Sequence, residues 1–258
     1  MRKSAIFLLF VAFCLTILGL SAQGGIAVPP QTARPKTEAE GKQKLEDSKQ
    51  RPVAKSKVYL LHSDLLRKDA SHPDAQIVTG NVSFRHDSVY MYCDSACYYD
   101  KVSSFEAFGN VKIVQGDTLF LYGDRLYYDG LTQIAEMRCN VRMENRTTTL
   151  LTDSLNYDRV YNLGYFFDGG TLMDEQNVLT SEWGEYSPQT KQSVFNYNVK
   201  LVNPQFTLTS DTLRYNTASK VADIVGPSDI WSDANHIYSE KGTYNTVTGK
   251  ADLYDRSV

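Results

Sequence analysis

The sequence predicts an all-β fold: a twisted antiparallel β-jellyroll or solenoid built from two-strand repeats of 29 to 30 residues. Three observations predict it. An acid recurs at Asp64, Asp94, Asp124, Asp153, Glu182, Asp211 and Glu240, at spacings of 30, 30, 29, 29, 29 and 29. Apolar residues between the acids alternate with period two, the signature of a half-buried strand. No stretch of residues 58–258 sustains a helical period. A fixed period of this length is how stacked supersecondary units announce themselves.

Each repeat justifies two strands. The first passes through a Gly-Asn-Val centre, GNVSF at 80–84, GNVKI at 109–113 and CNVRM at 139–143. Around it Phe105, Ala107, Gly109, Val111 and Ile113 are expected to face inward. So are Ala135, Met137, Cys139, Val141 and Met143, and Phe195, Tyr197, Val199 and Leu201. Cys139 stands where other repeats have Gly, which predicts a packed thiol. The second strand carries the acid. Leu61, Met91, Leu121, Leu150, Leu179, Leu208 and Ile237 lie three residues before it. Leu66, Ala96, Leu126, Leu155, Gly184, Leu213 and Gly242 lie two after it, and Tyr98, Tyr128, Tyr157, Tyr186, Tyr215 and Tyr244 four after it. Only the first repeat breaks the tyrosine position, with Lys68.

The two apolar positions flanking the acid are five residues apart, so a straight strand would put them on opposite faces. Both face inward only if a bulge or corner separates them. The acid sits at that corner, where it is expected to accept hydrogen bonds from turn N–H groups. Gln115-Gly116-Asp117, Asp129-Gly130, Asn145-Arg146 and Asn203-Pro204 are turn chemistry.

Composition divides the 258 residues unequally. Arg2 and Lys3, an uncharged run from Ala5 to Leu20, and small Ser21-Ala22 make residues 1–22 a cleavable export signal. Its apolar run is short for a membrane span, and Phe13 before Cys14 argues against a lipid anchor. Residues 23–57 hold no aromatic residue, four prolines, and eight basic against four acidic side chains. They read as a flexible basic linker, too polar to offset its ordering entropy. A membrane-surface role for it is the lesser reading. The repeat body, 58–258, keeps 17 basic and 26 acidic residues, which excludes a basic nucleic-acid binder. In a straight strand Cys93 and Cys97 would be ~13 Å apart, too far for a bridge. Free thiols are therefore expected.

Phased units such as LYGDRLYYD (121–129) and LLTDSLNYD (150–158), each following a GNV-type strand, resemble the repeats of the OstA/LptA-like family. That family comprises periplasmic lipopolysaccharide-transport proteins and the N-terminal domain of the outer-membrane lipopolysaccharide assembly protein. The resemblance covers 58–258 and departs at Glu182-Trp183-Gly184, where Asp-x-Leu is lost. It implies an open jellyroll holding acyl chains in its interior and stacking head to tail with like modules. The residues expected to line that interior are Met91, Val111, Ile113, Leu121, Tyr128, Val141, Met143, Leu150, Tyr157 and Leu208.

The implied partners are lipopolysaccharide or a related glycolipid, and like jellyroll modules or the outer-membrane assembly protein at open sheet edges. The implied location is the periplasm, with outer-membrane association as the further option. A structural solenoid without cargo is the alternative, and a chain cut from a longer protein would explain an uncapped edge. No catalytic, metal or cofactor site is expected. The acids lie one repeat apart rather than clustered as calcium needs. His62, His72, His86 and His236 share no phase, and no phosphate-cradling loop occurs.

Overall fold

The structure, a computed structural model, describes residues 56–69, 72–232 and 235–255. The signal at 1–22 and the linker at 23–57, up to residue 55, lie outside the described residues. Strands follow one another by short turns: β1 (Tyr59–His62), β2 (Leu65–Asp69), β3 (His72–His86), β4 (Val89–Tyr99), β5 (Ser104–Gln115), β6 (Leu119–Asp129), β7 (Ile134–Asn145) and β8 (Thr148–Asp158). Then come β9 (Leu163–Phe166), β10 (Gly170–Asp174), β11 (Asn177–Ser181), β12 (Trp183–Tyr186), β13 (Gln192–Asn203) and β14 (Phe206–Asn216). The last are β15 (Val221–Ile224), β16 (Ser228–Ser232), β17 (Asn235–Ser239), β18 (Lys241–Asn245) and β19 (Ala251–Tyr254). They form one 19-stranded sheet of antiparallel hairpins.

The sheet folds over because every strand bends at the same phase. Register shifts fall at Thr79/Val82, Tyr92/Ser95, Phe108/Val111, Tyr122/Arg125, Arg138/Val141 and Asn196/Val199. In later repeats the bend interrupts the strand outright, splitting β9 from β10 and β11 from β12. Gly80-Asn81, Gly109-Asn110, Cys139-Asn140 and Tyr197-Asn198 all take positive φ there. Two consecutive left-handed residues turn the chain without spending a loop. The strands through these centres are longer than one repeat half, 12 residues each for β5, β7 and β13.

Each bent strand contributes to two facing walls. On one, Phe84, Met91, Ile113, Leu121, Met143, Leu150, Leu172, Leu179, Leu201, Leu208, Ile230 and Ile237 are register partners in a single row. We call it the leucine wall. On the other, the six tyrosines alternate with Phe105, Ala135, Gly164, Ser193, Ala222 and Ala251. From Ala135 onward the neighbour is small, which leaves each phenol ring room between strands ~4.8 Å apart. This tyrosine row runs roughly 50 Å from β4 to β19 at that spacing.

The walls pack directly on each other: Phe84 of the leucine wall stacks on Phe105 of the tyrosine wall at 4.2 Å. One continuous cluster fills the space between them.

Three sequence expectations are corrected. Cys139 is exposed, not packed, because it occupies the left-handed corner at φ 64. Gly109 and Tyr197 sit at the same corner and are only half-buried. Leu61 and Leu66 of the first repeat are about half exposed, at 49% and 50%. A bulge between Leu60 and His62 puts Leu60 rather than Leu61 opposite Phe84, and Leu66 lies on β2, which with β1 forms the first edge of the described sheet and pairs only with β3.

Candidate binding interior

All ten candidate residues lie between the walls and are 0–2% exposed. Six of them, Met91, Ile113, Leu121, Met143, Leu150 and Leu208, belong to the leucine row. Val111 and Val141 lie beside the corner on the same wall. Tyr128 and Tyr157 stand opposite, in the tyrosine row. Among the described residues this interior is filled by side chains and holds no open channel.

The fifth repeat keeps the filling despite its lost leucine. A Cβ on Gly184 would stand 2.5 Å from the Phe166 ring, and one on Gly170 2.6 Å from the same ring. Phe166 thus occupies the volume that a leucine fills elsewhere, while Trp183 faces outward, half-buried.

Two polar ladders close the long sides. At the corner, the Asn side chain of one strand donates to the acid of the strand before it. Asn81 reaches Asp64 at 2.9 Å, Asn110 reaches Asp94 at 2.8 Å, Asn140 reaches Asp124 at 2.6 Å and Asn198 reaches Glu182 at 2.5 Å. The acid therefore serves mainly an amide side chain rather than turn N–H groups. Asp153, which accepts from the Asn140 backbone N–H at 3.1 Å, keeps the expected form. The acid lies so close that a Cβ on Gly109 would be 2.5 Å from the Asp94 carboxylate.

On the opposite side, tyrosine hydroxyls meet a second row, which we call the seam. Tyr128 bonds His86 at 2.7 Å, Tyr186 donates to Asn145 at 3.3 Å and Tyr215 donates to Asp174 at 2.8 Å. Tyr157 donates to Asn162 (3.3 Å), which accepts from Gln115 (3.0 Å). Asn203 continues the row through Asn177 at 2.9 Å. Cations attend it: Arg159 at Tyr128 and His86, Lys191 at Asn145, and Lys220 at Asp174.

Burial sets the electrostatics of this seam. His86 is held below its usual range, first by desolvation and then by Arg159. The Tyr128 phenol is pushed up to about 12, chiefly by burial. Tyr215 rises for the same reason, reinforced by its bond to Asp174. The sequence reading missed this row. His86, Gln115, Asn145, Asp174 and Asn203 do keep the repeat spacing, 29, 30, 29 and 29, as polar residues ending an apolar strand. That phase was the available signal.

Among the described residues no group of three His, Cys, Asp or Glu side chains could hold a metal ion, and no helix is long and apolar enough to cross a membrane.

A bent-strand β-repeat with an apolar double ladder inside defines the class of protein. Residues 55–211 match the OstA-like protein family. This chain belongs to that family. A solved structure, LptH, the LptA homologous periplasmic component of the conserved lipopolysaccharide transport device from Pseudomonas aeruginosa, is similar over 38% of this chain and 76% of that one. Identity is 13% and the TM-score 0.36, a likeness too low to bear on this chain's function. No curated protein matches the chain.

Proposed function

We propose that this protein is a periplasmic, non-enzymatic carrier of lipopolysaccharide or a related glycolipid on its way to the outer membrane. The supporting observation is the unbroken apolar ladder between two walls. Those walls are continuous in backbone at the corner but held at the seam by side-chain hydrogen bonds. Parting the seam would admit acyl chains against Met91, Ile113, Leu121, Met143, Leu150 and Leu208, with Val111, Val141, Tyr128 and Tyr157 completing the lining. Each buried methylene contributes ~0.8 kcal/mol, which offsets the wall-to-wall contacts displaced. Residues 1–22 would direct export and 23–57 would tether the domain.

The first sheet edge would dock a like module or the outer-membrane assembly protein by strand addition. Tyr59, Leu61, Leu65 and Leu66 are 49–54% exposed there. The filled interior favours one other reading, a structural solenoid without cargo.

Photo-reactive side chains at Ile113 and Leu150, compared with one at outward-facing Lys200, separate the two. Glycolipid adducts at the interior positions only, with lipid co-purifying by mass spectrometry, are expected of a carrier. No adduct at either interior position leaves the structural solenoid.

A further inference from the structure

The seam is closed differently at its first end. Elsewhere a tyrosine hydroxyl meets a side chain at the end of a leucine-wall strand, as Tyr186 meets Asn145 and Tyr215 meets Asp174, 41 residues apart. Tyr98 heads the same row, 40 residues from its acceptor, but that acceptor is the main-chain carbonyl of Val58, at 2.7 Å. The chain itself takes the place of the polar side chain.

Residues 56–58 make this closure. Tyr59 still pairs with Arg85 on the leucine wall. One residue earlier, Val58 is 1% exposed and joins the core cluster. It lies against the tyrosine wall, where a Cβ on Gly130, just after β6, would stand 2.7 Å from its Cγ2. Ser56 returns to the leucine wall, with its hydroxyl 2.9 Å from Nε2 of buried His86. His86 in turn holds Tyr128 at 2.7 Å. The segment thus crosses from one wall to the other and ends on the first hydrogen bond of the seam ladder.

Its hold is slight. Val58 supplies the buried side chain, and the Tyr98 proton is shared, since the Asp100 carboxylate lies 3.0 Å from the same hydroxyl. Behind the segment, β1 has four residues and a register shift between Leu60 and His62. Other seam partners end strands that are bonded on both sides: Asn145 ends the 12-residue β7, which pairs with β6 and β8. Local opening costs least where few buried contacts and few ladder bonds must break.

We propose that residues 56–58 are a strap that gates the interior: the seam opens first at this end, and only when the strap is displaced. This rests on the reading that the seam parts, but not on which molecule enters. A strand docked on β1 at the first sheet edge would lie next to the strap, which couples docking there to opening of the seam. Opening then spreads from Tyr98 and Val58 to the His86–Tyr128 bond, the next tie along the seam.

Hydrogen–deuterium exchange of the full chain, resolved by peptide, tests this. Ser56→Ala, Val58→Ala and Tyr98→Phe should each speed exchange about fivefold or more across residues 84–91, where β3 turns into β4. Residues 206–216 of β14 should exchange as in the parent. Lys57→Gln, at the exposed position of the strap, should match the parent throughout. Parent-like exchange at 84–91 in all three strap variants overturns the proposal. So does equal acceleration at 84–91 and 206–216, which would mean a general loss of stability. Photo-adducts at Ile113 keep the two readings apart. Strap variants that open without any glycolipid adduct uphold the gate and refute the carrier, whereas glycolipid adducts with unchanged exchange refute the gate alone.

Discussion

The Tyr215 hydroxyl donates to the buried carboxylate of Asp174 at 2.8 Å, across the interior and 41 residues along the chain. The same relation joins His86 to Tyr128 at a separation of 42 and Asn145 to Tyr186 at 41. Neighbouring strands cannot supply such a contact, since each hairpin partner is much closer in sequence. The seam therefore fixes which turns of the solenoid face one another.

Tyr215→Phe removes one donor from Asp174, whose other partner on the same oxygen, Lys220 at 2.8 Å, remains. The expected cost is about 1–2 kcal/mol, a Tm lower by roughly 2–8 °C for a domain of this size. Asp174→Ala should cost more, because Lys220 and Tyr215 both lose their acceptor. Thermal unfolding of the two variants measures this, and a neutral Tyr215→Phe would show that the seam bond adds nothing.

His86 carries a pH signature. Its pKa is lowered from 6.5 in the folded state, so the unfolded chain binds the proton more tightly. Its contribution to stability is fully present above pH 6.5 and is lost as pH falls from there toward the depressed value. Denaturant midpoints between pH 7.5 and 5 should therefore decline, and His86→Gln should flatten the decline over that window. An unchanged slope in the variant would place the pH dependence elsewhere.

Cys139 adopts φ 64 at a corner where two other repeats have glycine. A non-glycine residue there costs about 1–2 kcal/mol, of which glycine's unfolded-state entropy returns about half. Cys139→Gly is expected to raise the denaturation midpoint by the equivalent of about 0.5–1 kcal/mol, and Gly109→Ala to lower it. Gly109→Ala adds a close approach to the Asp94 carboxylate, so its loss should exceed the gain at Cys139, which reads backbone strain alone.

Phe166 fills the space above Gly170 and Gly184. Phe166→Ala should cost about 3–5 kcal/mol through the void it leaves, and Gly184→Ala should clash with the ring. In the double variant Phe166→Ala, Gly184→Leu, part of that loss is expected to return. Additive losses in unfolding experiments would mean the two sites do not share one volume.

Periodicity alone placed the acid corners, the hairpin turns and the ten interior residues, because each depends only on which residues share a phase. It read Leu121 and Leu126 as both inward and inferred a corner between them, and they are 0% and 2% exposed. It misjudged Cys139, Gly109 and Tyr197 because strict alternation does not register two left-handed residues in succession. It misjudged Leu61 because a bulge between Leu60 and His62 puts Leu60 opposite Phe84 in its place, and Leu66 because an edge strand lacks a neighbour on one side.

Sequence by itself determined the repeat, the all-β class and the inward face of the central strands away from their corners, since these follow from local hydropathy and the two-residue pleat. Only the tertiary structure decided that the walls close on each other, that Asn side chains bind the corner acids, and that polar strand ends meet tyrosines 41–42 residues away. Those contacts depend on how far the bent sheet twists before its walls meet, and twist accumulates over many strands. No single repeat carries that information.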